Sequence, residues 1–389
     1  MTEKQKLLFA VYGLGIGGIE KCLINLINIL PEDRFDVDII LMNPHYDLKE
    51  QIRRKVFFYD EFEYVLYCGG AMEQLKQRGG IMKNWKKLLP YVLLHFADQK
   101  GAECWKLFKP LPKVYDVAVC YSQNGYTPYY VIDKVKAKRK VLWYHNGAYE
   151  YDSQTRHRHR LYYPHFDWVV AVANECCTML KEKMPYMADK ILVLRNMCDN
   201  QQILEKSREF VPHSYVPGKK HIVTVGRMTP EKGALRAAEV CSLLRSHGKD
   251  ICWHWVGDGE QSQEVLAQVR KLGLEDRFVL EGNQNNPYPY IACADIYVQA
   301  SDYEAYSTTV TEAKVLCKPI VVTDVGGMRE QLTDGETGRI VPLDAASVAE
   351  AVEELLDQPA LCRQLSEKLR QETYENNGAL QEYYRTVFA

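Results

Sequence analysis

Short apolar runs alternate with longer amphipathic stretches along this chain, and this alternation limits its possible folds more than any other feature. Strands of a buried parallel sheet are continuous apolar runs, whereas the connecting helices carry apolar residues at helical spacing. The first series of predicted strands is 7–12, 37–42, 117–121, 140–144, 168–173 and 191–194. A predicted helix, 19–30, follows the first strand. The rhythm predicts a parallel sheet with helices on both faces.

A second series follows a polar stretch. Its predicted strands are 221–226, 252–256, 278–280, 296–299 and 319–323. The polar residues 196–219 indicate a domain hinge, so we predict an α/β chain of two Rossmann-like domains, 1–205 and 206–373. The last segment, 374–389, has apolar residues at helical spacing and either caps the second domain or crosses back to the first. Open parallel sheets bind ligands beyond the carboxyl ends of their strands, so the interdomain cleft is the expected site.

Composition excludes several classes of protein. The chain has 389 residues, 47% hydrophobic and 26% charged, which is typical of a globular protein. A formal net charge of −2 argues against a protein that binds nucleic acid by neutralising phosphates. No stretch approaches the roughly 20 apolar residues of a membrane span, and we predict no cleaved signal. The 12 cysteines show no metal-binding spacing, which predicts reduced core thiols, a cytoplasmic protein and no metal site.

The glycine-rich segment 13–18 joins the first predicted strand to the first predicted helix. Small residues at this place let the N–H groups of a helix N-terminus approach a phosphate. The segment matches GxGxxG, but a dinucleotide enzyme would also need an acidic residue at the end of the second strand. Asp36 and Asp38 stand at that strand's beginning instead. A glycine turn without a ligand stays open as the alternative.

Two cations follow the first strand of the second domain. Arg227 comes directly after Gly226, and Lys232 lies five residues further on. Both can reach one diphosphate, the arginine through a bidentate fork and the lysine as a point charge. Solvated loop charges are the alternative interpretation of this pair.

Two carboxylates seven residues apart, Glu304 and Glu312, flank a predicted helix N-terminus. Free N–H groups and the positive end of the helix dipole suit phosphate oxygens at residues 306–309. Glu312 is placed to accept hydrogen bonds from two ribose hydroxyls, and Glu304 from sugar hydroxyls.

Six ordered segments together carry a family resemblance. They are Gly226-Arg227 with Lys232-Gly233, 256–259, 278–282, 286–290, Glu304 to Glu312, and 334–338. In this order they resemble retaining glycosyltransferases of the family-4 type, strongly over residues 217–345 and more weakly in the N-terminal half. The resemblance implies the GT-B fold, in which two Rossmann-like domains face each other across a cleft and the C-terminal one holds most of a nucleotide sugar. It also implies catalysis without a metal or other cofactor.

The resemblance assigns roles to residues of this chain. It places Arg227 and Lys232 on the donor diphosphate, and it makes Glu304 and His145 catalytic with them. The residues it implies for donor binding are Gly17, Gly18, Gly226, Gly257, Gly282, Asn283, Tyr306, Ser307, Thr308, Thr309 and Glu312. The chain departs from the family at Ala305, where glycine is usual, and at Ala173-Asn174-Glu175, where a serine-containing turn is commoner. A satisfied structural histidine is the alternative for His145.

Two basic segments lie outside these motifs. Residues 76–113 hold nine lysines and arginines against two acids, a local excess of +7, interleaved with aromatic and aliphatic residues. Such a mixture fits a surface on anionic lipid, or equally a core-facing helix pair with a basic exterior. The run 156–160, Arg-His-Arg-His-Arg, is either a solvated helix face or a contact for an anionic acceptor.

These expectations combine into one function. The chain is expected to transfer a hexose-type sugar with retention, from a nucleoside-diphosphate sugar, UDP-sugar being favoured, to a glycan or lipid-linked acceptor. The expected pathway makes surface polysaccharide such as capsule, at the inner face of the plasma membrane. The alternatives are a catalytically silent GT-B scaffold that binds a partner, and another nucleotide-sugar enzyme such as an epimerase. A dinucleotide oxidoreductase is disfavoured by the missing second-strand acid.

Overall fold

Two separate parallel sheets carry the two halves of the chain in the computed structural model, which describes residues 3–15, 17–43, 46–59, 103–372 and 381–388. Every strand pairing in these ranges is parallel. The predicted fold class, two doubly wound Rossmann-like domains, is confirmed. Most of the basic segment 76–113 lies outside the described residues, and so does the start of segment 374–389.

The N-terminal sheet has seven strands in the order β3-β2-β1-β4-β5-β6-β7. Their bounds are β1 Gln5–Val11, β2 Phe35–Leu41, β3 Phe57–Phe58, β4 Val114–Cys120, β5 Lys136–Tyr144, β6 Trp168–Ala171 and β7 Ile191–Val193. The strand order reverses between β1 and β4, and a crevice opens at such a switch point beyond the carboxyl ends of the strands. The glycine-rich segment 13–18 follows β1 and therefore lies at this crevice.

The C-terminal sheet has six strands in the order β10-β9-β8-β11-β12-β13. Their bounds are β8 Lys220–Val225, β9 Ile251–Val256, β10 Phe278–Gly282, β11 Ile296–Gln299, β12 Ile320–Thr323 and β13 Arg339–Val341. Here the order reverses between β8 and β11. Arg227 follows β8 and Glu304 follows β11, so the switch point of this sheet brings the two motifs side by side.

Helices cover both faces of each sheet. In the N-terminal half they are α1 Gly18–Ile29, α2 Thr127–Lys134, α3 Ser153–Tyr162, α4 Asn174–Lys183 and α5 Asn200–Lys206. In the C-terminal half they are α6 Ala234–Ser246, α7 Ser262–Lys271, α8 Tyr288–Cys293, α9 Thr308–Val315, α10 Met328–Gln331, α11 Ala345–Asp357 and α12 Pro359–Gln371. Within the described ranges, none of these helices has the length and apolar character needed to cross a bilayer.

Two strands were not predicted. β3 has two residues and β13 has three, each at the outer edge of its sheet. A run this short carries no periodicity, and an edge strand needs less apolar side chain than a central one. β9, with all six residues buried, shows the strong signal that the edge strands lack.

Segment 381–388 packs on the N-terminal domain. Tyr383, Val387 and Phe388 are buried in the same apolar cluster as β1 and α1. The Tyr383 hydroxyl donates to the Arg195 carbonyl at 2.6 Å, and the Gln5 side-chain amide donates to the Phe388 carbonyl at 2.6 Å. The end of the described chain thus contacts the domain in which the chain begins.

Aromatic side chains fix helix α3 against the N-terminal core. His159 is 1% exposed and stacks on Tyr163 with ring centroids 4.2 Å apart. A hydrogen bond of 2.8 Å joins His159 Nδ1 to the Tyr149 hydroxyl. Burial lowers the pKa of His159 to about 4. The folded protein therefore holds this imidazole neutral at pH values where a solvated histidine is protonated.

This shift predicts a pH dependence of stability. Because the unfolded chain protonates His159 near pH ~6.5 and the folded chain only near pH 4, folding releases a proton between these values, and stability falls as the pH drops through this window. We expect His159→Asn to reduce the loss of unfolding free energy between about pH 7 and about pH 5 by roughly 2 kcal/mol. Urea unfolding at both pH values measures it. The exposed neighbour provides the control: His157→Asn should keep the wild-type loss, and an equal loss in all three proteins would contradict the prediction.

Candidate active site

The two switch points face each other across a cleft with a cavity volume of about 280 Å³. The residues predicted for the site that line this cleft are Gly17, Gly18, His145, Gly226, Arg227, Lys232, Gly257, Asn283, Glu304, Tyr306, Ser307, Thr308 and Thr309. Gly282 and Glu312 are not among the described residues that line it. Thirteen of the fifteen predicted residues thus lie around one cavity.

Two helix N-termini meet in this cleft, one from each domain. Gly17 is the N-cap of α1, and Ser307 is the N-cap of α9. The approach is close, because a Cβ on Gly18 would lie 3.1 Å from Thr308 Oγ1. The Ser307 hydroxyl accepts from the Val310 N–H, while the N–H groups of Thr308 and Thr309 donate to no described residue. Two positive dipole ends aimed at one space form a binding site for an anion.

Glu20 supplies a negative charge at this place in the unliganded protein. It lies in the first turn of α1, and its Oε2 would be 2.3 Å from a Cβ on Gly17. Burial raises the pKa of its carboxyl, and the Arg227 charge opposes that rise. The Glu20 carboxylate therefore covers the helix end that a phosphate would otherwise occupy.

Lys232 and Glu304 pair with one another. Lys232 Nζ lies 2.7 Å from Glu304 Oε1, and the Ser301 hydroxyl donates to the same oxygen at 3.0 Å. Glu304 is 7% exposed, so its charge depends on this cation and this hydroxyl. The sequence assigned these side chains to different parts of a donor, and the unliganded structure joins them directly.

The glycine at 326 lets the Glu304 loop reach its position. Gly326 has a φ of +43°, and a Cβ on it would lie 1.9 Å from the Glu304 carbonyl oxygen. Ala305, the departure from the family pattern, is half-buried against the N-terminal core. The alanine methyl thus takes part in the contact between the domains.

Arg227 is the most accessible cation of the cleft. Its side chain is 64% exposed, and its nearest carboxylate is Glu231 Oε1 at 3.7 Å. Beside it, Gly257 has a φ of +138°, and a Cβ there would lie 2.1 Å from the Gly226 carbonyl oxygen. The ends of β8 and β9 therefore touch at a point where only glycine fits. Arg227 is left free to turn toward a ligand.

Glu312 lies behind the lining rather than in it. Its Oε1 is 3.6 Å from Lys21 Nζ and 3.3 Å from the Tyr288 hydroxyl, which donates to it. Its Oε2 is buried and has no hydrogen-bond partner among the described residues. Lys21 belongs to α1, so this ion pair spans the two domains. A ribose could reach Glu312 only if Lys21 moved aside.

His145 lies at the end of β5 with one free nitrogen. Its Nε2 is buried without a hydrogen-bond partner in the described part of the chain, and its ring bonds to the Tyr121 backbone. The bonded atom must then be Nδ1, which donates to a carbonyl. Burial lowers the pKa of His145 to about 3. The ring is neutral and presents an Nε2 lone pair to a hydroxyl donor in the cleft.

Two further residues join the domains at the cleft, and the sequence analysis did not identify them. The Tyr303 hydroxyl packs against Gly147, where a Cβ would lie 2.1 Å away. The Glu330 carboxylate accepts from the N–H groups of Asn174 and Glu175, at 3.1 and 3.2 Å. Glu330 thus caps α4 at the turn that departs from the family pattern. No spacing in the sequence signals a cap supplied by the other domain.

One histidine cluster lies outside the cleft. The parallel pairing of β8 and β9 brings together the buried side chains of His221, Cys252 and His254, which the spacing in the sequence did not indicate. His221 Nδ1 contacts His254 Nε2 at 2.8 Å, and the outer ring nitrogens bond to the Val216 carbonyl and to Glu281. All four ring nitrogens are therefore used in a hydrogen-bonded chain that fastens residue 216 of the hinge to the sheet.

The sequence comparisons agree with the resemblance. Residues 205–372 match the family model of glycosyl transferases group 1. The chain is 27% identical over 350 residues to the N-acetylgalactosamine-N,N'-diacetylbacillosaminyl-diphospho-undecaprenol 4-alpha-N-acetylgalactosaminyltransferase of Campylobacter jejuni, with 87% of each chain covered. It is 24% identical to the putative glycosyltransferase EpsD of Bacillus subtilis, with 68% of this chain and 74% of EpsD covered.

The structural comparisons agree with the fold. The Anabaena protein Alr3699/HepE, in its crystal structure with UDP and glucose, superposes with a TM-score of 0.73 at 18% identity, over 99% of this chain and 100% of that one. A TarM mutant of S. aureus, in complex with UDP and glycan ligands, gives 0.71 at 12% identity, over 99% and 100%. The chain therefore has the GT-B fold, and its C-terminal domain belongs to the glycosyl transferases group 1, which makes the protein a glycosyltransferase.

Proposed function

We propose that this protein transfers a sugar from a UDP-sugar to a lipid-linked or free glycan acceptor, with retention of anomeric configuration and without a metal ion. The observation that carries the proposal is the meeting of two helix N-termini with Arg227 and Lys232 around one cleft. This arrangement provides positive charge from both domains to one diphosphate.

Stabilising the leaving nucleoside diphosphate is the main task in this reaction. Charge builds up on the departing phosphate oxygen as the bond to the anomeric carbon breaks, and preorganised donors act most strongly there. Arg227 and the N–H groups of Thr308 and Thr309 are unoccupied donors that line the cleft. In this proposal they take the place that a divalent cation holds in metal-dependent enzymes.

The proposed chemistry needs no protein nucleophile. The acceptor hydroxyl attacks the anomeric carbon on the face that the phosphate leaves. The new bond joins the acceptor oxygen to that carbon, the bond from the carbon to the phosphate oxygen breaks, and the departing oxygen takes the hydroxyl proton. Glu304 and His145 Nε2 accept hydrogen bonds from donor hydroxyls and thereby orient the sugar. Glu304 does so once Lys232 turns toward the diphosphate.

The donor and the acceptor are inferred from different sources. UDP and glucose are bound to the Anabaena protein, which supports a UDP-sugar as donor. The Campylobacter relative acts on a diphospho-undecaprenol acceptor, and a Rhizobium meliloti relative, 27% identical with 38% of this chain and 42% of that protein covered, is a lipopolysaccharide core glycosyltransferase. These relatives support a role in surface polysaccharide synthesis. The basic segment 76–113 is then the part of the chain expected to meet anionic lipid at the inner face of the plasma membrane.

Removing the accessible cation tests the leaving-group role. Arg227→Ala is expected to lower kcat by about 100-fold, because one preorganised donor to the departing phosphate is lost. Initial rates with UDP-sugar, in the presence of EDTA, measure it. Arg370→Ala is the matched control, since Arg370 is similarly exposed at 61% and pairs with Glu367 on a helix remote from the cleft motifs. Equal rates for Arg227→Ala and the wild type would contradict the role.

The ribose role of Glu312 has a separate test. Glu312→Gln is expected to weaken UDP binding by about 10-fold, because a charge-assisted hydrogen bond becomes a neutral one. Titration calorimetry with UDP gives the Kd. Lys21→Gln breaks the same interdomain ion pair from the other side and should leave the Kd near the wild-type value. If both variants weaken binding equally, the residue acts through domain packing and does not contact ribose.

A further inference from the structure

A second cavity, of about 310 Å³, lies in the N-terminal domain apart from the donor cleft. Its basic side chains are Arg156, His157 and Arg160 from α3 and Lys183 from the end of α4, with Tyr149 and Tyr186 beside them. Ser153 completes the described lining, so no carboxylate is among the residues found there. We call this cavity the cationic pocket.

Helix geometry directs these charges to one side. Residues 153, 156, 157 and 160 are spaced so that they share one face of α3. The other face carries His159, which is buried against Tyr163 and hydrogen-bonded to Tyr149. The buried histidine therefore fixes the rotation of the helix and keeps the arginines on the pocket side.

The charges of the cationic pocket are unfavourable for the helix itself. Arg156 and Arg160 stand four residues apart, where like charges repel, and Arg156 lies in the first turn, near the positive dipole end. In the described ranges, no ion pair joins Arg156, Arg160 or Lys183 to a carboxylate. A local rule broken without compensation within the fold is a mark of a functional site.

The cationic pocket lies close to the donor cleft along the chain. Gly147 lines the cleft and Tyr149 lines the pocket. Two residues of backbone span at most about 7 Å. Tyr149 is also held in place, since its hydroxyl bonds to His159 at 2.8 Å. One short, anchored loop therefore separates the two cavities.

We propose that the cationic pocket binds a phosphate or diphosphate group carried by the acceptor. Two guanidinium forks and an ammonium group from a second helix can surround a tetrahedral phosphate from different sides. The pocket belongs to the domain opposite the nucleotide-sugar domain, which is the side from which an acceptor approaches. The assignment to an acceptor rests on the proposed function, whereas the affinity for phosphate does not.

Binding of inorganic pyrophosphate in saturating UDP tests the pocket, because UDP fills the donor cleft. Calorimetry at fixed ionic strength is expected to give at least about 10-fold weaker pyrophosphate binding for Arg156→Gln/Arg160→Gln, since two charged donors are lost. Arg363→Gln/Arg370→Gln removes the same net charge from exposed positions of α12 and should bind like the wild type. Equal pyrophosphate affinity in all three proteins would overturn the proposal, and so would an equal loss in both double variants.

A sedimentation assay distinguishes the two sources of the phosphate. Phosphatidylcholine vesicles with and without polyprenyl diphosphate are compared as carriers. If the polyprenyl diphosphate increases sedimentation of the wild type but not of Arg156→Gln/Arg160→Gln, the group belongs to a lipid-linked acceptor. If pyrophosphate binding is lost in the variant while sedimentation is unchanged, the group belongs to a soluble acceptor. The UDP affinity of the same samples reports separately on the proposed function, because the variant leaves the donor cleft intact.

Discussion

Two helix N-termini that face each other across the interdomain cleft are the constraint on which the rest of the site depends. α1 and α9 approach so closely that Gly18 has no room for a side chain without displacing Thr308. Their dipole ends carry charge of the same sign, so this arrangement favours an anion between them. Both helices begin at the switch points of their sheets, and the order of the strands is therefore what creates the anion site.

The unliganded protein satisfies this site with its own charges. Glu20 covers the end of α1, Glu304 holds Lys232, and Glu312 holds Lys21. Each of these carboxylates can be replaced by a phosphate or by a sugar hydroxyl without leaving a buried charge unpaired. Donor binding in this account is an exchange of partners, which explains why residues predicted to contact a donor contact one another in its absence.

The sequence predicted the parts of the structure that follow from local chain chemistry. Buried central strands such as β9 are unmistakable apolar runs, and the motifs at Arg227 and Glu304 follow strands that the switch points place together. The contacts that depend on how two domains pack were not predictable in this way. Lys21 on Glu312 and the Glu330 cap on α4 join residues more than a hundred positions apart, and nothing in the local sequence marks either partner.

The most direct test of this account is a crystal structure of the protein with UDP, grown in EDTA. We predict that the β-phosphate lies between the N-termini of α1 and α9, within hydrogen-bond distance of the Thr308 or Thr309 N–H, and that Glu20 and Lys232 have moved from the positions described above. A diphosphate bound away from both helix ends, with the Glu20 carboxylate still over Gly17 and Lys232 still on Glu304, would contradict the account.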